Sequence, residues 1–114
     1  MKDSQTYLLE FEKKGYFKIK NFFSKDFIKR MCNEIDLAKN VEKYFDKNKK
    51  LRRIEKLFDK GDNLNKLNYE LLNFLTKLFN KKFVIFKDKF NTKPVGGEGF
   101  EAHYDGIFIF RKKN

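Results

Sequence analysis

FVIFKDKFNTKPVGGEGFEAHYDGIFIF, residues 83–110, is the stretch on which the reading of this chain turns. It contains the only Pro, the only His and four of the six Gly, at positions 96, 97, 99 and 106. Residues 83–86 form a continuous apolar run, the pattern of a strand buried on both faces. Beyond them Lys87, Lys89 and Asn91 alternate with Asp88 and Phe90, and Lys93 keeps the period, so an extended backbone sets these polar side chains on one face. In a binding pocket such a row meets an anion; on an ordinary strand it is the solvent side. Pro94, Gly96, Gly97 and Gly99 follow as a turn-rich loop of the kind that orders over a site when ligand arrives. Its spacing matches neither a P-loop nor a dinucleotide fingerprint, and no helix pattern follows it. His103 and Asp105 then stand two apart, just ahead of the apolar residues 107–110. Residues i and i+2 of an extended segment share a face, so this imidazole and carboxylate can grip one cation together. The spacing alone is common and more often idle than functional.

Outward from that stretch, the clearest helix precedes it. Gly61, Asp62 and Asn63 give a turn signal, and Leu64, Leu67, Leu71, Leu75 and Leu78 recur at three- and four-residue spacing. Residues 51–58, LRRIEKLF, read as a strand or a short helix. Arg52 and Arg53 suit an anionic ligand through paired hydrogen bonds, or are surface charge paired with Glu55. Residues 42–50 are charged and aperiodic, a connector. Ser24 opens a helix with Phe27, Met31, Ile35 and Ala38 on one face, a core stripe. Residues 16–20, YFKIK, alternate as a half-buried strand with Phe17 and Ile19 inward. Ser4 caps a first helix that Gly15 ends in a left-handed conformation.

Length and composition bound the rest. A chain of 114 residues forms one small domain able to bury about two-thirds of its unfolded surface. No repeat, low-complexity tract or proline-rich linker divides it. The net charge of +11 is the kind of excess that draws nucleic acid or an anionic surface. Here it is almost all lysine, spread from Lys2 to Lys113 without a dominant block, which argues for a solvated surface and against nucleic acid as a partner. The single Cys32 excludes an internal disulfide and lies in an amphipathic helix as a small hydrophobe. No apolar run has the length of a membrane span, so a soluble, cytoplasmic protein with no membrane partner is expected.

The order of features resembles the phytanoyl-CoA dioxygenase family of Fe(II)- and 2-oxoglutarate-dependent oxygenases. A buried strand, a Lys-rich extended segment, Lys-Pro-x-Gly-Gly at 93–97, a Gly-Phe at 99–100, then His-x-Asp-Gly at 103–106 and another apolar strand carry the likeness. GYFKIKNFFSKDFIKRMCNEI, residues 15–35, is similar to the family's opening, and RRIE at 52–55 to a strand near its active site. The resemblance implies an α+β fold: helices packed on an incomplete double-stranded β-helix, a cupin-like jelly roll. It implies His103 and Asp105 as metal ligands, Lys93 and Lys87 as contacts to 2-oxoglutarate, and Fe(II) with 2-oxoglutarate as cofactor and cosubstrate. Such enzymes hydroxylate small molecules or acyl thioesters, with two His and one carboxylate holding the iron and open positions left for the oxo acid and O₂.

The likeness covers the N-terminal portion of that domain, and this sequence, with one His in all, lacks the distal His and Arg. Residues 1–114 are therefore expected to be a single domain truncated after the His-x-Asp strand, a fragment or split form whose barrel a second polypeptide would complete. Three helices are expected on strands at 16–20, 51–57, 83–90 and 107–110, the last an unprotected edge. Two other classes of function stay open: a non-catalytic binding module descended from the same family, and a basic nucleic-acid-binding domain.

Overall fold

The computed structural model describes residues 2–97, with Gly99 and Ala102. Three helices and a three-stranded antiparallel sheet make an α+β domain: α1 Ser4–Lys14, α2 Lys25–Leu37, β1 Glu42–Phe45, β2 Leu51–Glu55, α3 Asp62–Phe79 and β3 Lys89–Asn91. The strand order is β1-β2-β3. No helix among the described residues is long and apolar enough to cross a membrane. The strand expected at residues 107–110 lies outside the described residues.

The helix ends follow local chemistry. Asp3, one residue before the expected Ser4, caps α1: its carboxylate accepts from the Thr6 N–H at 2.9 Å and the Thr6 hydroxyl at 3.0 Å. Gly15 closes the helix at φ 82°, where a side chain would be strained, and its N–H donates to the Phe11 carbonyl at 2.7 Å. Ser24 caps α2 by accepting from the Phe27 N–H at 3.1 Å. For α3 the cap comes from another helix. Both carboxylate oxygens of Glu34 in α2 accept backbone N–H groups of its first turn, Asn63 at 2.9 Å and Leu64 at 3.0 Å.

Two apolar clusters meet along α3, which packs on both α1 and α2. One is aliphatic: Ile35, Ile54, Leu57 and Leu64 are buried, with Met31, Ala38, Val41, Leu51 and Phe90 packed around them. The other is aromatic. The Phe74 ring lies 6.3 Å from Tyr7, 6.4 Å from Phe17 and 5.2 Å from Phe22, centroid to centroid. Cys32 is free and half-buried on α2, consistent with a small hydrophobe.

Three expected elements differ. Residues 16–20 keep the expected alternation, with Phe17 and Ile19 half-buried and Tyr16, Lys18 and Lys20 exposed, but they form no strand. Phe17 is held by rings, 5.3 Å from Tyr7, so its burial comes from helix packing and needs no ladder. Residues 42–50, expected to be a connector, contain β1 and the turn of a hairpin. Asp46 makes that turn: Oδ1 accepts from the N–H of Asn48 at 2.9 Å and of Lys50 at 3.0 Å, while the Asp46 N–H donates to the Lys50 carbonyl.

The third difference is the FVIF run, which is not a buried strand. Val84 is 73% and Phe86 80% exposed, while Phe83 and Ile85 are half-buried. Register explains it. Glu55 pairs with Lys89 and Ile54 with Phe90, so Phe86 would need a partner at position 58. The backbone has left the sheet by then, because Lys56 takes a left-handed conformation at φ 63° and the chain turns toward α3. For the same reason β2 stops at Glu55 and β3 is only three residues long.

Candidate functional site

The sheet has one face on the aliphatic core and one that is polar. Ile54 and its partner Phe90 point to the core. Tyr44 pairs with Arg53, Arg53 with Asn91, and Glu55 with both Glu42 and Lys89, so these residues share the opposite face. Lys87, two before Lys89, joins them through an ion pair to Glu55 at 3.0 Å. The expected row of Lys87, Lys89 and Asn91 is thus exposed on one side, with Asp88 and Phe90 turned inward.

A charged network occupies this face. The Arg53 guanidinium carbon stands 4.4 Å from the Tyr44 ring centroid, a cation–π contact made by a cross-strand pair. Its Nη2 lies 3.7 Å from Glu55 Oε2, and its buried Nε has no hydrogen-bond partner among the described residues. Glu55 is 6% exposed, unusual for a carboxylate, and the charges beside it keep it ionised. The Lys87 ammonium is the first cause that holds its pKa below the usual glutamate value; burial opposes, and Tyr44 and Arg53 assist. The Lys87 contact lies outside hydrogen-bond angles, so it acts through charge. Tyr44 donates its hydroxyl to Glu42 Oε2 at 2.7 Å. That bond, with Glu55 behind it, pushes the phenol up to about 12. Lys56 closes the network on Glu42 at 2.5 Å.

Arg52 and Arg53 therefore diverge. Arg53 is on the polar face and paired with Glu55, while its half-buried neighbour alternates to the other side. Lys87, expected to meet a cosubstrate, already spends its ammonium on Glu55. Lys93 is exposed but leaves the strand period, because its backbone is left-handed at φ 45°. The Thr92 N–H still donates to the Arg52 carbonyl at 3.1 Å, and its hydroxyl bonds the Leu51 carbonyl, so the chain is pinned to β2 up to that residue. His103 and Asp105 lie outside the described residues. Among the described residues no group of three or more metal-ligating side chains comes together.

Tyr44 and Asp88 are contributors that sequence reasoning missed. Asp88 Oδ2 accepts the Leu57 N–H at 2.7 Å and fixes the approach to β3. Tyr44 was recoverable: EKYF and LRRIE flank Asp46-x-Asn48, a turn signal between two short runs. Comparison with family models, with curated proteins and with solved structures gives no match to this chain.

Proposed function

We propose that these residues form the N-terminal part of an Fe(II)- and 2-oxoglutarate-dependent oxygenase domain of the phytanoyl-CoA dioxygenase type, with the polar sheet face as one wall of its pocket. The observation that carries the reading is the side-by-side placement on one face of Arg53 from β2 with Lys89 and Asn91 of β3 and Lys87 just before it, in the segment that precedes His103-x-Asp105 in sequence. Anionic oxygens are what such a face attracts. In this reading the three-stranded sheet belongs to a cupin-like jelly roll whose other strands come from outside the described residues.

The donor chemistry fits in part. Imidazole and carboxylate suit non-haem iron, and His103 with Asp105 supply two of the three ligands; the sequence has no second His. Bound there with 2-oxoglutarate, iron supplies oxidative hydroxylation of a C–H bond. The remaining roles belong to this chain's own charges. Lys93 holds a cosubstrate carboxylate, and Lys87 is a second contact that the anion must share with Glu55. Arg53, stacked on Tyr44, keeps a fixed positive charge on the wall. A second polypeptide or further segment completes the ligand set.

The test is anaerobic titration of the 114-residue chain with Fe(II), then with 2-oxoglutarate, followed by O₂ and a succinate assay. Weak metal binding is expected, lost in both His103→Ala and Asp105→Ala with helical content unchanged, and without sustained succinate formation. Binding that is the same in both variants rejects the assignment.

A further inference from the structure

The lysine excess has no block in the sequence, yet the fold collects part of it in one place. A groove of about 770 Å³ is lined by α1 and residues 16–20, and a second, of about 570 Å³, by residues 20–24, α2 and α3. Lys20 lines both, so the two adjoin. Six lysine and arginine side chains face two carboxylates along them, and one of those carboxylates, Glu10, is already paired with Lys2 at 2.5 Å. Walls of one sign focus their field into the cleft and gather anions there.

Each groove adds a specific arrangement to that charge. In the first, Tyr16, Lys18 and Lys20 share the exposed side of an alternating segment, with the Tyr16 ring 59% exposed between α1 and the two ammonium groups. In the second, Arg30 of α2 and Lys66 of α3 are both held over the ring of buried Phe27, at 5.9 Å and 5.5 Å from its centroid. Among the described residues neither is in an ion pair. Arg30 gives its Nε–H to Asn63 Oδ1 at 3.4 Å, which leaves its terminal nitrogens for another acceptor. Like charges gathered on one ring repel each other, and an anion in the groove relieves that repulsion.

We propose that the two grooves form one binding surface for single-stranded nucleic acid, with Lys18, Lys20, Arg30 and Lys66 on phosphates and Tyr16 stacked on a base. Cations interleaved with an open ring suit a ligand that carries phosphates and planar bases along one chain. A duplex keeps its bases stacked inside and offers Tyr16 no free face. A bilayer is flat, whereas the other rings of these grooves are buried or half-buried and cannot insert into it. The inference stands on this surface and does not rest on the oxygenase reading.

Fluorescence anisotropy of a labelled oligothymidylate of about ten nucleotides tests it on the 114-residue chain. Binding should weaken between about 50 and 200 mM salt with a logarithmic slope of about −3, the value for four to five phosphates on a single strand. Arg30→Gln with Lys66→Gln should weaken it about tenfold and make the slope shallower by about 1.4. Lys18→Gln with Lys20→Gln, outside any helix or strand, should do the same and guards against a folding defect in the first pair. Tyr16→Ala should weaken binding about tenfold with the slope unchanged, because stacking carries no counterions. Lys39→Gln with Lys43→Gln, which removes equal charge from residues lining neither groove, should leave the affinity within about twofold. Equal losses in all three lysine and arginine pairs would show diffuse charge and overturn the proposal. So would affinity for a hairpin duplex equal to that for the single strand, displacement of the oligomer by polyglutamate at equal charge, or binding to phosphatidylserine vesicles with none to the oligomer.

Discussion

Glu34 is the carboxylate on which the α2–α3 junction depends. It accepts two backbone N–H groups at the start of α3 and the Asn63 side-chain amide at 2.8 Å. Burial raises its pKa, but these donors outweigh it and hold the group below the ordinary glutamate value. A carboxylate depressed in the folded state contributes stability above its unfolded pKa and loses it as pH falls through the folded value. Acid should therefore loosen this junction below about pH 4.5, the ordinary glutamate value. Glu34→Gln should flatten that part of the stability–pH curve, and Glu34→Ala should cost about 1–2 kcal/mol in urea unfolding at pH 7. Tyr44 carries the opposite sign. Its phenol, held by Glu42 first and Glu55 next, is pushed up to about 12, so the folded state keeps its proton longer than the unfolded one. The contribution is present below pH 10 and lost as pH rises toward 12. Ultraviolet titration of the phenolate should show this midpoint, and Glu42→Gln should lower it.

The β1–β2 hairpin is set by its turn. Asp46 is 8% exposed and receives two backbone N–H groups through Oδ1, while its buried Oδ2 has no hydrogen-bond partner among the described residues. Asp46→Ala should destabilise the domain by about 1–2 kcal/mol, and Asp46→Asn by less than half of that, because the amide oxygen can still accept both donors. Thermal unfolding of the two variants decides it; equal losses would show that the charge, not the acceptor, sets the turn. The three helices were legible because their signals are local: Ser24 as a cap, Gly15 as a stop and the Leu64 to Leu78 stripe each act within a few residues. The sheet was legible only in part: LRRIE left strand or short helix open until the resemblance favoured a strand, and the strand expected at 83–90 meets β3 at its last two residues. Whether residues 83–86 join a ladder depends on where β2 ends, which is fixed by the left-handed Lys56, a residue whose type gives no sign of that conformation. For the polar face, the row at 87, 89 and 91 was readable from period two. Its coupling to Tyr44 and Glu55 needed the strand register, which no single stretch contains.

At the scale of the molecule, two modest clusters share one helix, and among the described residues no large side chain falls below 2% exposure. Phe74 joins rings from α1, from the segment after it and from the approach to α2, although it is only half-buried. Phe74→Ala should cost about 3 kcal/mol, a large fraction of what a small domain has, and the variant should lose its cooperative thermal transition. A transition kept within a few degrees of wild type would show that the aromatic cluster is dispensable. The Glu34 cap has one further consequence, and it concerns descent. A Cβ at Gly61 would stand 2.5 Å from Glu34 Oε2, so a side chain there would push the carboxylate away from the first turn of α3. The constraint runs one way: a lineage that gains a side chain at 61 must reposition or give up the acid at 34, whereas the acid can be lost with the glycine still in place. The two sites, 27 residues apart, should therefore covary among descendants of this chain, with a self-capping Ser, Thr, Asp or Asn at 61 found where the glutamate is gone.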